Sequence, residues 1–220
     1  MTADCKKPLL LFDLDGTLWD SAPQVTVAWN EVFQRADPSL PPLTVDDLHS
    51  VMGMTMREIG ETLYPGWQSP LRKAVFDTCC TYEVEYLRSH GGTLYPDFRS
   101  VMETLKSRGF ELAVVSNCQL GYVDAFLSGS GASDLFLDYE EWERTGLVKG
   151  ENIRLVMNRN NYTRGIYIGD TKKDQEAARL AGIPFIHAAY GFGTVENPDG
   201  TIHRLADLPE EVARVIRQSC

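Results

Sequence analysis

The chain has 220 residues, of which 43% are hydrophobic, and its 21 basic and 31 acidic side chains give a formal net charge of −10. A chain of this length can bury a substantial core, and it fits one domain with an insertion better than two large domains. The acidic balance argues against a nucleic-acid or anionic-membrane surface, because both need clustered Lys and Arg.

The apolar runs and the cysteines bear on where the protein works. No apolar run approaches the roughly 20 residues that cross a bilayer, and residues 1–8 are too short and polar for a secretory signal. The five cysteines are an odd number without metal-binding spacing, which suits reduced thiols. We therefore expect a cytoplasmic protein. Together with the acidic charge balance, these features predict that it binds neither nucleic acid nor membrane. We expect a monomer or a homodimer.

The first predicted element is a buried strand that ends in two acids. Leu9–Phe12 are all apolar, as in a central strand of a parallel sheet. Alternate residues of an extended chain share a side, so Asp13 and Asp15 can converge beyond the strand's carboxyl end, where open α/β sheets bind ligands. Gly16 then permits a tight turn. Taken alone, the same residues also fit an ordinary strand followed by an Asp-Gly turn.

Three further polar groups follow predicted strands or open predicted helices. The apolar run 112–115 precedes a hydroxyl and a turn suited to a phosphate oxygen, and the run 167–169 precedes two acids one helical turn apart. Between them, a lysine stands just before a helical pattern. In chain order these residues are Ser116 with Asn117, Lys149, and Asp170 with Asp174. Each signal is weak alone, but the set and its order are specific.

This series resembles the four motifs of the haloacid dehalogenase-like hydrolase superfamily and spans residues 9–193. Those motifs are an Asp-x-Asp-Gly-Thr strand end, a Ser or Thr, a Lys, and a Gly-Asp followed by a second acid. Within the superfamily the chain is most similar to the phosphoglycolate phosphatase-like branch. Residues 190–193 are similar to a segment that is common in that branch. The resemblance implies an α/β fold with a Rossmann-like three-layer core around a central parallel sheet, plus an inserted small α-helical cap of the C1 type.

The same resemblance implies a role for each charged motif residue. Asp13 is the expected nucleophile that forms an aspartyl-phosphate, and Asp15 is the expected general acid and base. Lys149 is the third expected catalytic residue and holds charge that develops on the phosphoryl oxygens. The expected metal is Mg²⁺, and its expected ligands are Asp13, Asp15 through its backbone carbonyl, Asp170 and Asp174. Asp174 either binds the ion directly or fixes a metal-bound water.

The resemblance also indicates where the substrate binds. The expected substrate-binding residues are Ser116, Asn117 and Thr17 in the core and Arg57 in the cap. Arg57 also fits a solvated helix position, and that alternative stays open.

The third motif departs from the common pattern of the superfamily. Many relatives have Lys-Pro there, whereas Gly150 follows Lys149 in this chain. The charge is retained, but a glycine predicts a looser backbone at that point.

Helical signals cluster between residues 21 and 90 and interrupt the alternation of strands and helices. The run Ser21-Ala-Pro-Gln24 matches a capping box with Pro in the first turn, and Ser69-Pro70 opens a long helix. We therefore expect a helical cap of residues 21–91 inserted into a core of residues 1–20 and 92–220, with both connections acting as hinges.

The second carboxylate of the first motif separates the activities of the superfamily. By resemblance, dehalogenases lack an acid at the position of Asp15, so phosphoryl transfer is favoured. We expect a Mg²⁺-dependent phosphatase for small phosphorylated metabolites, such as phosphoglycolate, sugar phosphates, nucleotides or pyrophosphate. A phosphomutase and a non-catalytic binding or regulatory module on the same scaffold stay open as alternatives.

Overall fold

The computed structural model describes residues 7–218, so the cysteines at positions 5 and 220 lie outside the described residues. The strands are β1 Leu9–Phe12, β2 Trp19–Asp20, β3 Thr93–Leu94, β4 Leu112–Ser116, β5 Asp138–Glu141, β6 Gly165–Gly169, β7 Phe185–Ala188 and β8 Gly200–Ile202. The helices are α1 Ala22–Ala36, α2 Val45–His49, α3 Met56–Leu63, α4 Ser69–His90, α5 Phe98–Ser107, α6 Tyr122–Gly129, α7 Trp142–Thr145, α8 Lys149–Arg159, α9 Lys172–Ala181 and α10 Leu208–Gln218. Across residues 7–218, none of the helices combines the length and apolarity that crossing a bilayer requires.

The central sheet is parallel and has the strand order β5-β4-β1-β6-β7-β8. The order runs outward from β1 to β5, and the chain then returns to the other side of β1 and runs outward from β6 to β8. Strand order therefore reverses beside β1, which opens a crevice at the carboxyl ends of the neighbouring strands. The predicted parallel sheet with its first strand at the centre is confirmed.

Alternate residues of β1 enter two separate hydrophobic clusters, one on each face of the sheet. Leu10 and Phe12 pack on the face covered by α5, α6 and α10, while Leu9 and Leu11 pack on the face covered by α8 and α9. All four side chains are fully buried. This pattern explains why the strand is apolar at every position, and it confirms the predicted α/β fold with three layers.

A run of helices, α1 to α4, separates β2 from β3. These two short strands pair antiparallel, with Trp19 opposite Leu94, so the chain leaves the sheet region and returns to it side by side. The helical segment has an aromatic interior in which the Trp29 ring lies 6.1 Å from Phe33 and 5.4 Å from Phe76. The division into a cap of residues 21–91 and a core stays a prediction.

The start of α1 differs from the sequence-based expectation. The Ser21 hydroxyl makes no capping bond to the helix, so the predicted capping box over residues 21–24 is wrong. Instead, Asp20 Oδ1 accepts a hydrogen bond from the Ala22 backbone N–H at 3.0 Å. The Ser21 side chain points away from the helix, toward Asp15 and Tyr122.

Candidate active site

The carboxyl ends of β1 and β6 bring three aspartates together. Asp13 directly follows β1, Asp170 directly follows β6, and Asp174 lies in the first turn of α9. One carboxylate oxygen of each lies within 4.8 Å of the others, and all three side chains are buried. Gly16 leaves room for the Asp170 carboxylate, because a Cβ at position 16 would lie 2.2 Å from Asp170 Oδ2. Three of the four residues predicted to hold a metal therefore meet in one place.

This aspartate cluster has the donor chemistry of a divalent metal site. Asp170 Oδ1 is buried and accepts no hydrogen bond from any residue that the structure describes, and the buried Asp13 Oδ1 has only the ammonium of Lys149 beside it, at 3.1 Å. Burial, reinforced by the charge of Asp174, raises the pKa of Asp13 to about 6 and the pKa of Asp170 to about 8. The carboxylates oppose one another's ionisation, and a hard cation with oxygen ligands would relieve that repulsion.

One buried cation partly offsets the charge of the cluster. Lys149 Nζ lies 2.6 Å from Asp174 Oδ1 and 3.1 Å from Asp13 Oδ1. Burial by itself lowers the pKa of Lys149, but the two carboxylates outweigh that effect and raise it, so the ammonium stays charged. Lys149 is thus placed beside the predicted nucleophile, as the resemblance of the motifs implies.

A capping box orients Asp174. Its Oδ2 accepts hydrogen bonds from the Thr171 backbone N–H at 2.9 Å and from Thr171 Oγ1 at 2.6 Å. Thr171 Oγ1 in turn accepts from the Asp174 backbone N–H at 3.3 Å. With Oδ2 held at the helix end, Oδ1 is left to face Lys149. The start of α9 therefore sets the position of one carboxylate of the aspartate cluster.

The glycine after Lys149 has a packing role that the sequence does not indicate. Gly150 lies within α8, and a Cβ added there would lie 2.8 Å from the Ala177 carbonyl oxygen and 2.8 Å from Leu180 Cβ. Side chains in other proteins almost never come this close, so the glycine lets α8 approach α9 closely. The expected looser backbone is not what the structure shows, because Gly150 is helical and buried.

Asp15 lies beside the aspartate cluster and has its own hydrogen-bond network. Its Oδ1 accepts from Ser21 Oγ at 2.6 Å and from the Tyr122 hydroxyl at 3.0 Å. Burial raises the pKa of Asp15 to about 7, while the hydrogen bonds from Ser21 and Tyr122 act in the opposite direction. The side chain can therefore gain and lose a proton near neutral pH, which is what a general acid and base requires.

Two of the predicted substrate-binding residues line a small cavity next to these acids. Ser116 and Asn117 border a space of about 60 Å³ together with Asp13 and Asp15. The Ser116 hydroxyl also acts to lower the pKa of Asp13, against the larger effect of burial. The end of β4 and the end of β1 therefore face the same space, as expected for neighbouring parallel strands.

The other two predicted substrate-binding residues lie elsewhere. Thr17 is fully buried, and it does not border the small cavity. The Arg57 side chain is 84% exposed and lies 3.7 Å from Glu61 on the same helix. It borders a second, outer cavity of about 410 Å³, which Asn117 also lines. Neither Thr17 nor Arg57 borders the small cavity with the acids, and their roles stay predictions.

Sequence reasoning missed three polar side chains that contact Asp15 or line the small cavity. The sequence pattern predicts Ser21 to be a helix cap, and Tyr122 gives no local signal because it reaches Asp15 from across the fold. Glu83 did give a signal: it stands on α4 four residues after Cys79 and four before Leu87, both fully buried. An acid at an apolar helix position marks a group with a specific partner.

Comparison with known proteins agrees with this geometry. A family model described as haloacid dehalogenase-like hydrolase matches residues 10–188. Phosphoglycolate phosphatases are similar in sequence: that of Rhodobacter capsulatus is 29% identical over 195 residues, covering 84% of this chain and 85% of the relative. That of Caulobacter vibrioides is 27% identical and covers 94% of this chain and 91% of the relative.

Solved structures show the same fold. A protein from Haemophilus somnus, described as a predicted phosphoglycolate phosphatase, has a TM-score of 0.82 at 22% identity, covering 94% of this chain and 99% of that one. CbbY from Rhodobacter sphaeroides, solved in complex with phosphate, has a TM-score of 0.75 at 20% identity, covering 91% of this chain and 95% of that one. At these identities the likeness concerns the fold.

The chain belongs to the haloacid dehalogenase-like hydrolase family. Within that family it is an enzyme of the phosphatase type, from the phosphoglycolate phosphatase-like branch, which confirms the class and the branch expected from the motifs.

Proposed function

We propose that this protein is a Mg²⁺-dependent phosphatase that hydrolyses small phosphorylated metabolites through an aspartyl-phosphate. The observation that carries the proposal is the buried aspartate cluster of Asp13, Asp170 and Asp174, beside which lies a separate acid with a pKa near neutrality. A scaffold without turnover gains no stability from such mutually repelling buried acids.

The side chains fit Mg²⁺ by their chemistry. The ion prefers oxygen ligands and retains water, and the aspartate cluster offers only carboxylate oxygens, to which the Asp15 backbone carbonyl could add another. When bound, Mg²⁺ would offset the negative charges of the nucleophile and the phosphate. Lys149, already paired with two of the three acids, supports the same charge balance from the other side.

The proposed reaction assigns one bond change to each acid. Asp13 attacks phosphorus with a carboxylate oxygen, and the bond from phosphorus to the leaving oxygen breaks. Asp15 gives its proton to that leaving oxygen and then takes a proton from the water that cleaves the acyl phosphate. Ser116, the Asn117 N–H and Lys149 stabilise charge on the phosphoryl oxygens.

The acidity of the two aspartates supports this assignment. Asp13 has the lower pKa, about 6, and so is the more readily ionised of the two near neutral pH. Asp15 has a pKa of about 7 and can carry the proton that the leaving group needs. Two neighbouring carboxyl groups with different environments can divide the roles of nucleophile and acid.

Phosphate release from p-nitrophenyl phosphate tests the proposal. We expect hydrolysis with Mg²⁺, loss of activity with excess EDTA that added Mg²⁺ restores, and a decrease of about a thousandfold or more in Asp13→Asn. Asp134→Asn removes the same charge from an exposed aspartate that pairs with Arg99, and it should leave the rate unchanged.

Activity that survives EDTA or the Asp13 substitution would contradict the mechanism. A phosphomutase would yield an isomerised sugar phosphate in place of free phosphate, and a non-catalytic module would yield neither. Product analysis with a sugar phosphate therefore separates the three interpretations of the same scaffold.

A further inference from the structure

One buried acid near the catalytic residues has no part in the proposed reaction. Glu83, on α4, is 3% exposed and lines the same cavity of about 60 Å³ as Asp13 and Asp15. Its two carboxyl oxygens accept hydrogen bonds from Trp29 Nε1 on α1 and from Gln119 Nε2 in the loop after β4. The carboxyl group is therefore held at a fixed place in the wall of this cavity, which the reacting acids also line.

The rest of the cavity wall on the side of the helical segment is apolar. It is formed by side chains that include Val25, Trp29, Leu48, Val51 and Ile59. Among the described residues that border this cavity there is no Lys, Arg or His. One water needs about 10–15 Å³ of such space. A cavity of about 60 Å³ therefore suits a leaving group of only a few heavy atoms.

The nearby cations are already paired with acids. Lys149 lies between Asp174 and Asp13, on the side of the aspartate cluster. In the outer cavity, Arg57 and Arg72 both face Glu61, at 3.7 and 3.8 Å. A negatively charged leaving group in the small cavity would therefore find no free positive charge in its wall.

The charge balance of the cavity distinguishes two kinds of leaving group. A buried carboxylate beside Glu83 would leave at least one negative charge in a part of the cavity wall without a cationic side chain, whichever of the two carboxyl groups held a proton. An uncharged hydroxyl brings no charge, and it can both donate to a carboxyl oxygen and accept from a carboxyl O–H or the Gln119 amide.

We propose that Glu83 is a specificity-determining residue, which makes the enzyme prefer phosphate esters of small uncharged alcohols over esters whose leaving group carries a carboxylate. The inference rests on the proposed function, since it describes the leaving-group side of the same site. It sets this chain apart from the substrate named for its phosphoglycolate phosphatase relatives. Burial also raises the pKa of Glu83 to about 8, which leaves the group able to donate a hydrogen bond at neutral pH.

Two esters of nearly equal shape test the preference. Phosphoglycolate and 2-hydroxyethyl phosphate differ only in a carboxylate in place of a hydroxymethyl group. With the wild-type enzyme and Mg²⁺, we expect kcat/KM for 2-hydroxyethyl phosphate to be about tenfold higher or more, mostly through KM, which corresponds to about 1.4 kcal/mol. If turnover of either ester is too slow to follow, its inhibition constant against p-nitrophenyl phosphate measures the same preference.

A pair of matched variants assigns the preference to Glu83. Glu83→Gln keeps the size of the side chain and removes its acid. At pH 9, where the wild-type carboxyl group with its pKa of about 8 is mostly ionised, the ratio between the two esters should therefore fall severalfold in the variant. Glu85→Gln makes the same change at an exposed position of the same helix and should leave the ratio as in the wild type. Circular dichroism establishes that both variants are folded.

Three outcomes would overturn the inference: equal use of both esters, a preference for phosphoglycolate, or a ratio unchanged in folded Glu83→Gln. The wild-type comparison decides the first two even if that variant does not fold. Failure of the proposed function looks different, because the wild-type enzyme would then release phosphate from neither ester nor from p-nitrophenyl phosphate.

Discussion

The proton on Asp15 depends on two opposing effects of its surroundings. Burial favours the neutral carboxyl, whereas the hydrogen bonds from Ser21 and Tyr122 to Oδ1 favour the carboxylate. The balance leaves a pKa of about 7. A group that must first give and then take a proton works best when neither form is strongly favoured, so the two hydroxyls tune the proposed acid and base.

Removing one of these hydroxyls should change the pH dependence of the reaction. Tyr122→Phe takes away a hydrogen bond that favours the carboxylate, so the pKa of Asp15 rises. Because Asp15 acts first as an acid, the falling limb of kcat/KM should move to higher pH, by roughly one unit. A hydrogen bond to a charged group contributes about 1.5–3 kcal/mol, and one pKa unit corresponds to about 1.4 kcal/mol.

The measurement is the pH profile of kcat/KM with Mg²⁺ between pH 5 and pH 9. Tyr82→Phe is the matched control, since the Tyr82 hydroxyl donates to Glu31 on α1, away from the site. A falling limb that stays in place in Tyr122→Phe would show that another group controls it.

At the scale of elements, the close approach of α8 to α9 supports the site. α8 begins at Lys149, and α9 begins with the capping box that orients Asp174. The ion pair between these two residues therefore joins the first turns of two helices that lie side by side. Gly150 permits the close approach of α8 to α9. This glycine therefore helps to set the position of the Lys149 side chain beside Asp174.

Gly150→Ala should destabilise the protein although alanine is the better helix former. Alanine gains about 1 kcal/mol in helix propensity, but overpacking costs about 1–3 kcal/mol and displaces backbone, so a net loss is expected. The melting temperature should fall by a few degrees, and kcat should fall because Lys149 moves with the helix. Gly66→Ala, where an added Cβ meets no described atom within 4 Å, should leave both unchanged. A melting temperature that rises in Gly150→Ala would mean that the two helices separate without cost.

At the scale of the whole molecule, the aspartate cluster works against folding in the absence of a metal. Burial raises the pKa of Asp170 from 3.8 to about 8, so the folded state binds a proton there that the unfolded chain releases. The stability linked to this proton is present below pH 3.8 and is lost as the pH rises toward 8. A bound divalent cation would supply the positive charge that the lost proton no longer provides. The free energy of metal binding would therefore add to the free energy of unfolding.

Mg²⁺ should raise the melting temperature, more at pH 8 than at pH 6, because protons compete with the metal for the same carboxylates. At a free concentration about 100 times the dissociation constant, the stabilisation is about 2.7 kcal/mol. Asp170→Asn should melt higher than the wild type without metal at pH 8 and respond less to Mg²⁺. Asp77→Asn, at an exposed acid paired with Lys73, should behave as the wild type does in thermal scans with and without Mg²⁺. A Mg²⁺ response that Asp170→Asn retains in full would place the ion elsewhere.

Several parts of the fold and site could be predicted because they depend on neighbours in the chain. The all-apolar run Leu9–Phe12 implies a strand buried on both faces, and the acids that follow such strands must emerge at one edge of a parallel sheet. Asp13, Asp170, Asp174 and Lys149 accordingly meet there. The start of α1 could not be predicted in the same way, because the Ser21 hydroxyl bonds to Asp15 and to Tyr122 in preference to its own helix, and Tyr122 stands 101 positions further along the chain.

The sequence by itself determined the parallel sheet and the acids at its strand ends, because strand periodicity and the residues that end each strand are local properties of the chain. The resemblance of its motifs to a known superfamily indicated the class of protein. Only the tertiary structure decided which side chains surround those acids. Glu83 and Gln119 stand 36 positions apart, and Asp15 and Tyr122 stand 107 apart. Such contacts depend on how helices pack against the sheet, and no local pattern of residues encodes the resulting directions of individual side chains.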